Sequence, residues 1–198
     1  MNPSDIEHNL QKYAELTVKV GLNVQPGQRL LIYAPIESAP LVRPIAACAY
    51  RLGCRFVDVI WGDDGLELTR FQSAPRDSFE EFPAWLIPAV LNYAERGDAF
   101  LQISGTDPEL LKDQDPALIA TVQRVAAEQF TPVRNLLVRN AMNWGIVSFP
   151  IASWAAKVFP ADSPADQLSR LWAAVFEVCR VTQADPVVAW QAHARDLA

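Results

Sequence analysis

Asp63 and Asp64 stand side by side directly after the apolar segment RFVDVIWG. Two adjacent carboxylates can hold a hard cation or flank a phosphoryl acceptor. The second use also needs an acceptor aspartate and a lysine at later strand ends. The third strand-like segment closes on Ser104-Gly105, and no lysine follows the fourth. A solvated acidic turn that starts a helix is the better reading, and as a metal site the pair lacks further carboxylates at a defined spacing. The two histidines, His8 and His193, lie near opposite ends of the chain, and neither has a Cys, Glu or second His at ligand spacing. Cys48 lies in the apolar run IAACAY and Cys54 opens a strand, so both read as small core residues rather than nucleophiles. No GxSxG elbow is present. No residue is assigned as catalytic or as a metal ligand.

The segment GQRLLIYAPIESAPLVRPIAACAYRLG reads as strand, turn and helix, the opening unit of many nucleotide-binding sheets. Its turn, APIESAP, has prolines where a pyrophosphate needs close backbone approach at glycines. We therefore expect a helix start capped by Ser38, with Pro40 at an early helical position, and no nucleotide. Ser104-Gly105-Thr106 has the small residues of an anion-binding nest, but such a turn is more often only a turn. Asp107-Pro108 and Asp115-Pro116 read as turn or helix starts.

The elements that position these residues alternate in type. Ile6, Leu10, Tyr13, Leu16 and Val20 recur at helical spacing after a Ser4 cap, with Gly21 as the stop. RLLIYA is a continuous apolar run, the pattern of a strand covered on both faces. Ser38 to Gly53 is helical, RFVDVIWG is a second strand, and DDGLELTRFQSAP a short helix or lid. Phe79 to Gly97 is helical but broken at Pro83 and Pro88. AFLQISG and NWGIVSFP are the third and fourth strands. Ala117 to Asn140 lies between them, mainly helical and interrupted near Pro132. Trp154 and Val158, then Leu168, Trp172, Phe176 and Cys179, mark two further helices. DPVVAWQAHARDL is the last, capped by Asp185 with Pro186 in the first turn. Such alternation predicts one α/β domain over residues 1–198. Its core is a mostly parallel sheet of about four or five strands with helices on both faces, Rossmann-like without the glycine-rich loop. In open α/β sheets ligands gather beyond the carboxyl ends of the strands. The cleft-lining candidates are accordingly Glu37, Asp63, Asp64 and Thr106.

The chain of 198 residues is 51% hydrophobic and 20% charged, enough to bury a core, and carries a net charge of −6. The acidic balance argues against nucleic acid and anionic membranes as partners. No apolar run reaches the ~18 residues of a membrane span. The N-terminus MNPSDIEHNLQKYAEL is unlike a signal peptide. Three cysteines without metal spacing suit reduced thiols in the cytoplasm.

The stretch LQKYAELTVKVGLNVQPGQRLLIYAPIESAPLVRPIA resembles the opening of the metal-dependent aminopeptidases T, S and II, the thermophilic metallopeptidase family. The likeness continues in order through ELTR, FPAW, FLQISGTDPELL, WGIVSFPIASWAAKVFP, LW…VFEVCRV and DPVVAW, across essentially the whole chain. The resemblance implies a two-part enzyme about twice this length. Its second half carries the ligands of a site for two divalent metals (zinc, cobalt or magnesium), which activate water and polarise the scissile carbonyl. None of those ligands maps onto a position here. The chain then reads as an N-terminal scaffold that walls a peptide cleft, inactive alone, whose partners are the missing C-terminal catalytic domain and, since the family is generally dimeric, a second copy. In NWGIVSFPIASWAAKVFP a buried strand leads into a helix with Trp154, Ala155 and Val158 on one face, and Trp154 is the interface candidate. Most of the six tryptophans are expected in the core. The alternative is a stand-alone, non-catalytic α/β binding or dimerisation module.

Overall fold

The computed structural model describes residues 3–196. Four strands, β1 (Arg29–Pro35), β2 (Phe56–Gly62), β3 (Ala99–Ser104) and β4 (Asn143–Ser148), form one parallel sheet in the order β2-β1-β3-β4. β1 pairs with β2 along its whole length, from Arg29 opposite Phe56 to Pro35 opposite Gly62. Its apolar run places it in the middle, where both edges are hydrogen-bonded and both faces can be covered.

The period of two sorts the strand residues onto two cores. Leu30, Ile32, Ala34, Leu101 and Ile103 meet α1 (Pro3–Leu16), α2 (Ala39–Arg51) and α8 (Pro164–Val178) on one face. Leu31, Ile60 and Phe100 meet α4 (Leu86–Glu95) and α6 (Thr131–Val138) on the other. The remaining helices are α3 (Asp64–Ser73), α5 (Pro116–Gln129), α7 (Ala152–Val158) and α9 (Pro186–Asp196). The first core is built on aromatic contacts. Phe176 lies edge-on to Tyr13 at 6.1 Å and against Trp172 at 5.0 Å, and Trp172 meets Phe149 edge-on at 5.0 Å.

Several local expectations hold. The stretch from Phe79 to Gly97 is interrupted around Pro83, between a 3-10 turn (Arg76–Glu80) and α4, but Pro88 stands in the first turn of α4 and does not break it, while the long helix around Pro132 divides into α5 and α6. Asp185 caps α9 through the amides of Val187 and Val188. The Ser4 cap concerns a side chain outside those described. Others are corrected. The helical run ends at Gly21 as expected, but not through a left-handed glycine. The chain passes from α1 through a π turn, Thr17–Gly21, and the reversal falls on Asn23 at φ 47°, a residue type that tolerates the left-handed region. Ser38 stands at the cap position of α2, but its buried hydroxyl donates to the Pro35 carbonyl at 2.6 Å. A 3-10 turn, Ile36–Ser38, precedes the helix and Ala39 N–H finds the Ile36 carbonyl, so the hydroxyl is turned back to the strand end. β4 is not a buried strand. It is a sheet edge, with Ile146 58% exposed. Of the tryptophans only Trp172 is fully buried. Trp154 and Trp190 are half-buried, and Trp61, Trp85 and Trp144 are exposed.

Gly105 shows why a small residue follows β3. A Cβ there would lie 2.4 Å from the Phe149 carbonyl oxygen, where the ends of β3 and β4 cross, and Phe149 N–H bonds the Ser104 carbonyl at 2.7 Å. The glycine serves strand packing.

Candidate functional site

A trough lies at the carboxyl ends of β1 and β2. β1 is buried from Leu30 to Pro35 except at Tyr33, which is 39% exposed. α4 and α6 cover Leu31 on the same face, and Leu86 and Val90 of α4 with Phe130 come up beside Tyr33 but leave it 39% exposed. Trp61 of β2 pairs with Ala34, so it belongs to the first-core face of the sheet, where it is 44% exposed at the strand end. Tyr33, the end of β2 at Trp61 and Gly62, Leu66, Glu67 and Arg70 of α3 and Pro83 line an open depression of about 730 Å³. A smaller cavity of about 190 Å³ adjoins on the other side of Tyr33, toward Phe100 and Gln102 of β3.

α3 carries one wall of this trough because its start is fixed twice. Asp63 accepts from the amides of Gly65 and Leu66 at 2.8 and 3.1 Å, a side-chain cap. Asp64 accepts the Asp107 amide at 2.8 Å, tying the helix to the loop after β3. Arg70 donates to the Ser78 carbonyl at 2.9 Å and lies over the Phe79 ring, so its charge is held at the back of the wall. Partial burial, then the Asp64 and against the Arg70 charge, pushes the Glu67 carboxyl up. Burial and then Glu67 push the Tyr33 phenol up, so it stays a neutral hydrogen-bonding group.

Of the four cleft candidates, Asp63 lines the trough. Asp64 stands behind it, half-buried, as the tether to Asp107. Glu37 lies exposed on the 3-10 turn and Thr106 exposed after β3, and neither is among the lining residues. Tyr33, Trp61 and Glu67 were missed. Tyr33 sits in an apolar run that reads as wholly covered, and only the placement of α4 and α6 shows otherwise.

The histidines do not meet. His8 is exposed on α1, and His193 on α9 lies edge-on to Trp190 at 5.4 Å. Among the described residues no three of His, Cys, Asp and Glu come together in a way that could hold a metal. All three cysteines are free thiols. Cys48 and Cys54 are buried, and the half-buried Cys179 lines a separate, mainly apolar cavity of about 380 Å³ with Tyr13, Ile146 and Trp190. Among the described residues no helix is long and apolar enough to cross a membrane.

Where α2 begins, Ser38 is buried and spent on Pro35, and Pro40 stands in the first turn. NAD, FAD and ATP are expected to leave the melting temperature unchanged. A ligand at ~100-fold excess over its Kd would add about 2.7 kcal/mol and be seen readily.

Trp154 on α7 is half-buried and belongs to neither core, while Ala155 is fully buried and Val158 is 46% exposed. The shared helical face is thus split between interior and solvent. Trp154→Ala is expected to cost about 1–2 kcal/mol, below the roughly 3–5 of a fully buried aromatic. A denaturant melt measures it.

The model of the thermophilic metalloprotease family (M29) matches residues 6–198. The chain belongs to that family. It is 43% identical over 187 residues to aminopeptidase 2 of Geobacillus stearothermophilus, covering 94% of this chain and 45% of that protein. It is 38% identical over 191 residues to aminopeptidase T of Thermus thermophilus, covering 96% and 47%. The solved structure of wild-type AmpT from Thermus thermophilus superposes with a TM-score of 0.86 at 37% identity, over 95% of this chain and 46% of that one. The chain therefore has the fold of the matching part of that family member. It spans about half the length of these relatives. The family is one of metalloproteases, and the described residues here do not gather a metal-binding group.

Proposed function

We propose that this chain is the amino-terminal scaffold and cleft wall of a metal-dependent aminopeptidase that removes N-terminal amino acids from peptides. The observation that carries the reading is the continuous match over 94% of this chain to less than half of an aminopeptidase. The chemistry is assigned to a C-terminal catalytic domain outside the residues of this chain. That domain would hold two divalent ions, zinc, cobalt or magnesium, and none of its ligands is assigned to this chain. The chain's own contribution is the parallel sheet and the strand-end loops, with Asp63, Asp64, Glu37 and Thr106 along the side that faces the peptide. Trp154 is assigned to the joint with the catalytic domain or with a second copy, the whole acting as a cytoplasmic homodimer in which the three thiols stay reduced.

The alternative, a non-catalytic binding or dimerisation module, draws on the exposed Trp61, Trp85 and Trp144, since aromatics are enriched at interfaces. One experiment separates them. The chain is fused in place of the corresponding half of Geobacillus stearothermophilus aminopeptidase 2 and assayed on amino-acid anilides with added cobalt, zinc or magnesium. The scaffold reading expects metal-dependent hydrolysis by the fusion. A folded, metal-loaded fusion without turnover favours the module.

A further inference from the structure

We propose that β4 pairs edge to edge with β4 of a second copy of this chain, antiparallel about a two-fold axis at Gly145, so that one sheet runs through both copies. This contact goes beyond the peptidase reading above: it needs no catalytic domain and lies on β4 rather than at Trp154 of α7. An open sheet has two edges, and this protein treats its own unequally. On the β2 edge, Tyr50 Oη accepts the Val57 amide at 3.1 Å and Asp58 Oδ1 accepts the Val59 amide at 2.9 Å. Side chains thus occupy donors that would otherwise recruit another strand. On the β4 edge only the far end is closed. The Ser148 amide donates to Tyr13 Oη at 3.1 Å, and the Tyr13 hydroxyl faces the Ser148 carbonyl at 3.3 Å. Phe149 turns the other way, to Ser104. Residues two apart point to the same side of a strand, so Trp144 and Ile146 present N–H and C=O outward, as Ser148 does. Among the described residues nothing pairs with them.

The strand fits itself in that register. NWGIVS carries no charge, so no like charges come to oppose each other. With the axis at Gly145, each Trp144 stands opposite the other copy's Ile146. Both pairs are of the hydrogen-bonded kind, in which each residue exchanges N–H and C=O with the one opposite. Their side chains share one face, 40% and 58% exposed in the single chain, and an aromatic beside a β-branched residue is a favourable cross-strand pair. Gly145 meets its counterpart at the non-hydrogen-bonded position, where the α-carbons approach to about 4.5 Å and a missing side chain suits the close approach. The Tyr13 cap on Ser148 ends the pairing just beyond Val147. Along the edge, the cavity lined by Ile146, Val20 and Trp190 leaves room for the partner strand. One short strand pair with its side chains falls below the roughly 1,200 Å² of a stable interface, so the dimer dissociates on dilution through the micromolar range.

The test sediments the purified chain from about 1 µM to about 500 µM. The expected result is a reversible dimer whose formation shifts the amide signals of Trp144 and Ile146 in the 15N-labelled chain. Ile146→Pro removes an outward donor and no bond to β3, and should raise the dimer Kd by about tenfold or more. Trp154→Ala should leave it unchanged. Gly145→Cys, whose Cβ would meet Leu22 at an ordinary 3.5 Å, should form a disulfide-linked dimer under oxidised glutathione. Ser148→Cys, held far from its counterpart by the same axis, should not. A chain that stays monomeric throughout, a dimer undisturbed by a folded Ile146→Pro, or equal cross-linking of the two cysteine variants overturns the proposal. So does a dimer lost in Trp154→Ala. No turnover is read, so this outcome and that of the fusion assay are independent.

Discussion

Asp98→Ala is expected to destabilise the domain by about 3–5 kcal/mol. Asp98 is 4% exposed just ahead of β3, and its carboxylate gathers three groups. The Arg29 amide donates at 2.8 Å, the Arg29 Nε at 2.7 Å, and Arg96 Nε stands at 3.6 Å. Arg29 begins β1 and is further held by Asn92 Oδ1 at 3.0 Å and by the Tyr93 ring at 4.1 Å. The cluster thus pins the starts of the two central strands to the end of α4. Removing the carboxylate leaves a mostly buried guanidinium and a strand amide without their acceptor. The magnitude is the cost of breaking the pair rather than the net worth of having it. Asp98→Asn keeps one acceptor and should lose less. Urea melts with an unchanged m-value measure both, and a loss below about 1 kcal/mol for the alanine variant would contradict the account.

Phe176→Ala should cost a similar ~3–5 kcal/mol for a different reason. Phe176 is fully buried where α8 crosses α1, between Tyr13 and Trp172. Truncation leaves a cavity that two large rings cannot close without leaving their own contacts. Phe176→Leu fills most of that space and should cost clearly less. Phe56→Ala is the control. Phe56 is half exposed at the start of the edge strand β2, and its loss should be within about 1 kcal/mol. A Phe176→Ala loss no larger than the control would mean that the first core does not depend on this contact.

The architecture was legible where pattern and physics coincide. RLLIYA read as a strand covered on both faces, and the alternation of such runs with helical spacing predicted a mostly parallel sheet. The strand order was not legible, because nothing local to NWGIVS tells an edge from a centre, and Trp144 and Ile146 came out exposed there. Ser38 has the residue type of a cap, yet an unforeseen 3-10 turn redirected its hydroxyl to Pro35. Gly21 ends the helical run as read, but the left-handed residue is Asn23, two positions further on after a π turn. For the trough, the acidic residues at strand ends were visible by type, and Asp63 does line it. Tyr33 was hidden because its exposure depends on how far α4 and α6 extend over the sheet, a tertiary distance that no single segment encodes.

The central claim is that this chain supplies scaffold and cleft wall while the chemistry lies elsewhere. The most direct measurement is hydrolysis of amino-acid anilides and short peptides by the purified 198-residue chain alone, with added cobalt, zinc or magnesium. The account predicts no metal-dependent turnover, since His8 and His193 stand apart and no third ligand joins either among the described residues. Metal-dependent turnover that co-purifies with the chain and vanishes in His8→Ala or His193→Ala would contradict it.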